Sequence, residues 1–521
     1  MKVSCIDFSD TGQFAPIFID FIQQKEHLAP YYHRFPTVEA FQEQIAEKAK
    51  HSIDRKQLVS VLKEQYKSID LIDELTYLQI ESLEDEKTFT LTTGHQLNIF
   101  TGPLYFHYKI ITVINACKKL KQTYPDYNFV PIYWMASEDH DLDEIQSFKH
   151  EGRKLKWDTD QKGAVGRMKT DGLLEIANKV DPQGKIFQQA YGKNALLSDA
   201  VRSYVHQLYR KEGLIVVDAD NARLKKSFAP VIKDDLLHHT ANQLVEEQSA
   251  KLDRMDYKSQ TYPREINFFY LVEGSRNRIV KEGNSYQVLD TDLKFSEADL
   301  LNELDSHPDR FSPNVILRPL YQEQILPNLA YTGGPAEVAY WMQLKSVFEH
   351  YDTPFPILLP RSFALIVPNR IQHKLKKLKI ADQEIFIERE TLKKNITKKI
   401  SGQKLHLTEE KQSLNQLLSE VKQYAEEIDY SLSEMTSAET QKMINSLDKI
   451  EKKMLATEKR KHDDKMRQID EIKDYLFPGN GLQERKDNFI GFYKADPKFI
   501  QKLVKSLDPF NLQFNLCRWD G

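Results

Sequence analysis

"TFTLTTGHQLNIFTGPLYFHYK", residues 88–109, decides how this chain folds. Its first seven residues read as a strand, threonines alternating with apolar side chains. Its end opens "PLYFHYKIITVINACKKLKQTY", read as a helix with Pro103 at its first position, where a missing N–H costs nothing. Between the two stand His95, Gln96, Asn98 and Thr101, flanked by Gly94 and Gly102, which is more polarity than a turn needs.

The same grammar recurs downstream. "NFVPIYWMAS" (128–137) is a second buried strand, and it runs into the acidic "SEDHDLDE" (137–144). "GLIVVDAD" (213–220), "LPNLAYTGG" (326–334) and "PFPILLPRSFALIV" (354–367) are further apolar runs, each followed by a helical stretch. Strands alternating with helices predict an α/β core at 88–370 around a parallel sheet. Within it, 145–210 and 250–313 read as insertions, and "EINFFYLVEGSRNRIVKEGNSYQVLD" as antiparallel strands around Gly274 and Gly283. Residues 1–87 precede the core as a helical segment packed on it, with a helix-like run free of glycine and proline over 37–80.

From Asn369 to Phe477 there is no proline, and Gly402 is the only glycine. Apolar residues fall at heptad-like spacing: Leu414, Leu417, Val421, Tyr424 and Ile428, then Met443, Leu447, Ile450 and Met454. The pattern predicts an antiparallel coiled-coil arm over 371–476, used as a spacer or a dimer handle. Thr408 is a plausible N-cap, Thr436 and Glu439 form a capping box, and a long helix follows over about 437–475. Pro478, Gly479 and Gly481 then break the arm, and 477–521 returns to the core with Gln483, Glu484 and Arg485 at the junction.

The totals exclude several classes. A chain of 521 residues holds two to four domains. A net charge of -4 carries no global signal for nucleic acid. Three scattered cysteines make neither a disulfide framework nor a metal cluster and suit a reducing cytosol. The start lacks an apolar signal core, and no run nears the roughly 20 apolar residues of a membrane span. A cytoplasmic protein without membrane or nucleic-acid partners is the expectation.

In a parallel sheet, ligands bind beyond the carboxyl ends of the strands. Three stretches stand there. In the first, Gly94, His95, Gln96, Asn98, Thr101 and Gly102 face a helix N-terminus, which suits an anion. Thr101 or Asn98 would cap that helix, and His95 would bind a phosphate or carboxylate. The second offers Glu138, Asp139, His140 and Asp141, suited to a cation, a substrate ammonium or general-base work, or else to a plain acidic helix start. The third, "YTGGPAEVAYW" (331–341), brings Thr332, Gly333, Gly334 and Glu337 to another helix N-terminus, with Arg318 and Arg361 as fixed positive charge. Neither a phosphate-loop motif nor GxGxxG is present. Two competing readings are a metal-dependent hydrolase or transferase built on 137–144, and a coiled-coil scaffold with a degenerate sheet. The open polar gaps at three strand ends argue against the scaffold.

Taken in order, "TTGHQLNIFTGPLYFHYK", "VPIYWMASEDHDLDEI", "LAYTGGPAEVAYW" and "FPGNGLQER" resemble the cysteine-adding enzymes of bacillithiol biosynthesis across nearly the whole chain. The resemblance implies a Rossmann-like core related to class I aminoacyl-tRNA synthetases, interrupted by connecting segments, and a coiled coil used for homodimerisation. It implies a ligase that joins cysteine to the amine of glucosaminyl-malate, with ATP activating the carboxylate by analogy to the synthetases. "TGHQ" stands where a synthetase signature faces ATP, with Gly94 and His95 the comparable residues. The full His-x-Gly-His signature is absent, as is a Lys-rich second motif. A zinc site selecting cysteine is not supported, since no two cysteines lie close in sequence, and no metal is expected. By the same resemblance, His95 and the acidic stretch carry the chemistry, and Gln483 and Arg485 join the binding residues.

Overall fold

A computed structural model describes residues 1–69, 72–180 and 185–520. The chain divides into two compact units, one formed by 1–365 with 483–517, the other by 366–482 with 518–520.

The first unit is built on five parallel strands, β1 (Thr88–His95), β2 (Asn128–Met135), β3 (Ile215–Asp218), β4 (Asn328–Gly333) and β5 (Ile357–Pro360). Their spatial order is β5-β4-β1-β2-β3, every neighbouring pair parallel. The chain moves one way from β1 to β3 and the other way from β4 to β5. The direction therefore reverses between β1 and β4, where a doubly wound sheet opens its ligand crevice. All eight residues of β1 are buried. Its threonines are tolerated there because Thr90 and Thr92 donate to Asn328 Oδ1 at 3.2 and 2.8 Å, and Asn328 Nδ2 donates in turn to Glu323.

Helix α1 (Tyr105–Thr123) crosses from β1 to β2. Pro103 is not its first residue: Leu104 is the N-cap, and the helix begins at Tyr105. Phe100, Thr101 and Gly102 all adopt positive φ (52°, 69° and 61°), a left-handed bend that delays the helix. Neither Thr101 nor Asn98 caps it. Thr101 Oγ1 bonds His107 Nε2 at 3.0 Å, and Asn98 Nδ2 donates to the Glu144 carbonyl. Two stretches of chain interrupt the alternation of sheet strands and helices. One carries a two-stranded ladder, Ser147–His150 with Arg153–Lys156, then helices α2 (Ile186–Lys193) and α3 (Leu197–Tyr209). The other is a five-stranded antiparallel sheet spanning Phe268–Pro313, with turns at Gly274 and Gly283. The 37–80 run is interrupted, restarting at Arg55 and Glu74 behind the capping aspartates Asp54 and Asp73.

The second unit contains α4 (Arg389–Ile400), α5 (Thr408–Ile428), α6 (Leu432–Lys461) and α7 (Asp463–Leu476). Helices α5 and α6 form an antiparallel hairpin, tied at one end by Lys411 to Asp448 and Glu451, both 2.6 Å, and near the turn by Ser433 to Glu426. The expected caps are corrected. Leu407 is the N-cap residue of α5, and Glu409 and Glu410 pair with Lys404 instead. Thr436 lies inside α6 and donates to the Leu432 carbonyl, so the turn falls at 429–431. The long helix is split at His462. Basic Lys459, Arg460 and Lys461 end one piece and Asp463 and Asp464 start the next, each charge matched to its helix end. Of the expected seam, Leu414, Leu447 and Met454 are half-buried, whereas Leu417, Val421, Tyr424, Ile428, Met443 and Ile450 are exposed, Ile428 by 82%, leaving an apolar face on the hairpin. Among the described residues, no helix is long and apolar enough to cross a membrane.

His107, buried on α1, bonds Thr101 through Nε2 and Tyr209 through Nδ1. Burial pulls its pKa down to about 3. The unfolded chain, with an ordinary value near 6.5, therefore takes up the proton first. Stability is fully present above pH ~6.5 and falls by about 1.4 kcal/mol per pH unit below it. The slope of unfolding free energy against pH between about 5.5 and 4 is expected to be shallower by that amount in His107→Gln. Equal slopes would show that the folded protein protonates this ring.

Candidate active site

Strand β1 delivers Gly94 and His95 to the switch point. A Cβ on Gly94 would meet Tyr331 Oη at 3.2 Å, close enough to push that hydroxyl by a few tenths of an ångström, with Arg318 in ordinary contact at 3.7 Å. The His95 ring lies against Tyr105 and Phe106, centroids 5.2 Å away, and its Nδ1 accepts the Gln96 backbone N–H at 2.9 Å. Burial first, then the charges of Lys109 and Arg361, hold its pKa well below the usual value. The ring is neutral. With Nδ1 accepting, the network assigns the proton to Nε2, which is buried and meets no acceptor.

Around it stand two buried cations, Lys109 and Arg361, a half-buried one, Arg318, and two carboxylates. Lys109 on α1 donates to the Gly94 carbonyl at 2.8 Å and pairs with Glu337 at 2.6 Å. Glu337 also accepts from Tyr331 Oη at 2.6 Å and the Gly334 N–H at 2.8 Å. Burial opposes the charge on Glu337, but Lys109 and the Gly334 N–H together hold its pKa below the ordinary carboxylate range. Gly333 is required there, since a Cβ would lie 2.7 Å from Glu337 Cβ. Arg318 lies over the Trp134 and Tyr331 rings and donates to Gln322. Arg361 packs on Phe363, 4.0 Å from its centroid, and is paired at 2.5 Å with Glu484. Four polar atoms remain without a partner here: His95 Nε2, Arg318 Nη2, Arg361 Nε and Thr332 Oγ1. The first three are donors beside cationic charge, the arrangement that receives anionic oxygens.

A second region opens beyond β1 and β2. Gln96, Asp139, His140, Asp141, Asp143, Glu144, Asp160, Lys162 and Arg276 are among the residues around a cleft of about 730 Å³. Gln96 Nε2 donates to Asp139 at 2.8 Å and Glu144 at 2.6 Å. Asp139 Oδ1 accepts from the His140 N–H, and Asp141 caps the short helix Leu142–Ile145. His140 Nδ1 accepts from Arg276, which also lies 3.9 Å over the Phe269 ring. Burial and Arg276 lower the His140 pKa. Gly163 and Gly166 hold this wall together. A Cβ on Gly163 would strike Ser275 N at 2.6 Å, and one on Gly166 would strike Ser137 Cβ at 2.5 Å.

The expected residues therefore fall into three groups. Gly94, His95, Arg318, Thr332, Gly333, Gly334, Glu337 and Arg361 meet at the switch point, and Gln96, Asp139, His140 and Asp141 line the cleft. Asn98, Thr101 and Gly102 form a buried supporting loop, where Asn488 Nδ2 donates to the carbonyls of Phe100 and Gly102. Glu138 does not line the cleft: its carboxylate pairs with buried Lys225. Gln483 is buried and Arg485 exposed, whereas Glu484 between them pairs with Arg361. Sequence reasoning missed Lys109, Lys225, Arg276 and the role of Glu484. Lys109 was findable, as the only acid or base other than histidine between Pro103 and Cys117. Lys225 pairs with Glu138 of the acidic stretch, and Arg276 donates to His140 beside it. Among the described residues no group of three His, Cys, Asp or Glu side chains is placed to hold a metal ion.

A doubly wound α/β core with cationic side chains at its switch point and an appended helical hairpin is a Rossmann-like fold with a coiled-coil domain. The domain described as "Bacillithiol biosynthesis BshC, N-terminal Rossmann-like domain" matches residues 1–362, and "Bacillithiol biosynthesis BshC, C-terminal coiled-coil domain" matches 364–519. The chain belongs to the bacillithiol biosynthesis BshC family. A relative from Flavobacterium psychrophilum, named "Putative cysteine ligase BshC", is 43% identical over 99% of this chain and 100% of its own. Relatives of the same name from Christiangramia forsetii (41%, 99% of each chain) and Salinibacter ruber (30%, 95% of each) are similar end to end.

The Lys109–Glu337 pair is open to test. Lys109→Met leaves a carboxylate without its cation and is expected to cost about 3 kcal/mol in urea unfolding. The double change Lys109→Met with Glu337→Leu should recover most of that. A single variant as stable as the wild type would show that the pair contributes nothing.

Proposed function

We propose that this protein is a cytoplasmic ligase that joins L-cysteine to the amine of glucosaminyl-malate, using ATP to activate the cysteine carboxylate. The observation that carries this reading is the set of unpartnered donors at the switch point, His95 Nε2, Arg318 Nη2 and Arg361 Nε, in a chain of this family. ATP suits them: its phosphates need donors and positive charge, and Gly334 has no side chain to stand in front of Arg361 Nε, which would lie 3.6 Å from a Cβ there. When bound, ATP supplies the activation that turns the cysteine carboxylate into an acyl donor. His95 donates one neutral hydrogen bond to the charge that develops, and Arg318 and Arg361 add fixed positive charge that needs no reorganisation. Glu337 keeps Lys109 in place. In the cleft, Asp139 with Asp141, Asp143 and Glu144 receives the substrate ammonium, and Arg276 and Lys162 suit its carboxylates.

The exposed apolar face of α5 and α6 supports a homodimer through the arm. Leu417, Val421, Tyr424 and Ile428 recur there every three to four residues without cover, the pattern of a seam that packs on another helix.

Mass spectrometry of pure protein with glucosaminyl-malate and cysteine tests the reaction. Product only with ATP, accompanied by AMP, is the expected result, and His95→Ala should lower turnover about a hundredfold. Product without ATP would discard the activation step, and no product in either tube would overturn the ligase reading. For the arm, Tyr424→Glu with Ile428→Glu is expected to give a monomer by light scattering with helix content retained. A wild-type monomer would sink the dimer.

A further inference from the structure

The chain that re-enters the first unit at residue 483 fastens three parts of the proposed anion site within five residues. Glu484 takes Arg361 Nη2 at 2.5 Å on one oxygen and the Ala364 N–H at 3.2 Å on the other. The Asp487 carbonyl accepts the Leu104 N–H at 2.8 Å, at the N-cap of α1. Asn488 holds the left-handed bend of Phe100, Thr101 and Gly102.

Arg361 shows what this achieves. Its Nη2 is taken by Glu484 and its Nη1 by the Ser362 carbonyl at 2.9 Å, while Phe363 and Tyr105 flank the guanidinium. The Nε edge is left unpartnered, and a Cβ on Gly334 would come within 3.6 Å of it. An arginine free to turn would offer its two-pronged end to an anion. Here each nitrogen of that end already holds a partner, and Nε, beside the β4 turn, is the one guanidinium nitrogen with none. The Arg361 and Glu484 side chains are 2% and 0% exposed, so water does not substitute for either.

We propose that Glu484 is a positioning residue for the reaction proposed above: it fixes Arg361 so that the Nε–H, not the forked end, meets the anionic substrate. This rests on the reading of Arg361 as an anion-binding group. A carboxylate beside that cation has a second, opposite effect, because as a counter-charge it weakens anion binding. The two effects separate by experiment. If Glu484 acts as a counter-charge only, Glu484→Gln binds anions more tightly and turns over as before. If it positions Arg361, the same change lowers kcat and weakens anion binding.

The test is a two-residue cycle, wild type, E484Q, R361Q and R361Q/E484Q, on the full chain, with near-ultraviolet circular dichroism to check folding. Each is assayed for ATP-dependent product and, separately, for inorganic pyrophosphate binding by calorimetry. The expected result is a loss of about tenfold or more in kcat for E484Q, a smaller change in KM for ATP, weaker pyrophosphate binding, and a double variant no worse than R361Q. Tighter pyrophosphate binding with unchanged kcat, or losses that multiply in the double variant, would overturn the proposal. If E484Q does not fold, R361Q against R361Q/E484Q decides alone: equal values support positioning, and a weaker double variant refutes it. Wild-type protein that binds pyrophosphate but forms no product would overturn the ligase reading and leave the binding cycle to judge Glu484. Wild-type protein that does neither overturns both.

Discussion

Lys109 and Arg361 are buried and Arg318 half-buried at the end of one parallel sheet, where Glu337 pairs with the first and Glu484 with the second. A buried charge without a partner costs several kcal/mol, and a buried donor without an acceptor about 1–3. The fold tolerates this deficit because it holds each cation by geometry rather than by charge alone. Lys109 rests on the Gly94 carbonyl, Arg318 on two aromatic faces and Arg361 against Phe363. An anionic ligand would supply the missing negative charge. The glycines of the strand ends, the neutral His95 and the reversal of strand order between β1 and β4 all converge on the same corner of the sheet.

Much of this could be read from the chain, for a physical reason. Strands buried on both faces are apolar runs, and a strand end that opens on a ligand carries glycine and polar residues out of keeping with that run. Thus "TTGHQ" and "YTGGPAE" pointed to the switch point, and the antiparallel insertion showed in its glycine turns. Interactions that span the sequence could not be read. Nothing local in "QERK" says that Glu484 belongs to Arg361, and nothing in "SEDHD" says that Lys225 takes Glu138 and Arg276 takes His140. The helix starts were misread where a side chain had a tertiary partner, as Thr101 has in His107, or where a helix ran through its capping signal, as at Thr436. The arm's heptads were legible as apolar spacing, but spacing does not say which helix covers which face.

The cleft beside the switch point is assembled differently. Its floor comes from β1 and β2, but its walls are the two insertions, which meet where Gly163 touches the turn at Gly274 and Ser275. On the proposed reading, rigid strand ends of the sheet hold the anion and loops of the insertions meet the rest of the substrate. A chain can alter the second without disturbing the first.

Arg361 and Glu484 lie 123 residues apart, and the first unit is not continuous in sequence. On a ribosome adding 5–20 residues per second, the carboxylate that Arg361 needs arrives roughly 6–25 s after it. Throughout that interval the helical unit is being made, and the sheet waits with a cation uncovered and the bend at Phe100 untied. A chain cut short anywhere in the arm would thus carry every strand of the parallel sheet and still lack the carboxylate that fastens Arg361.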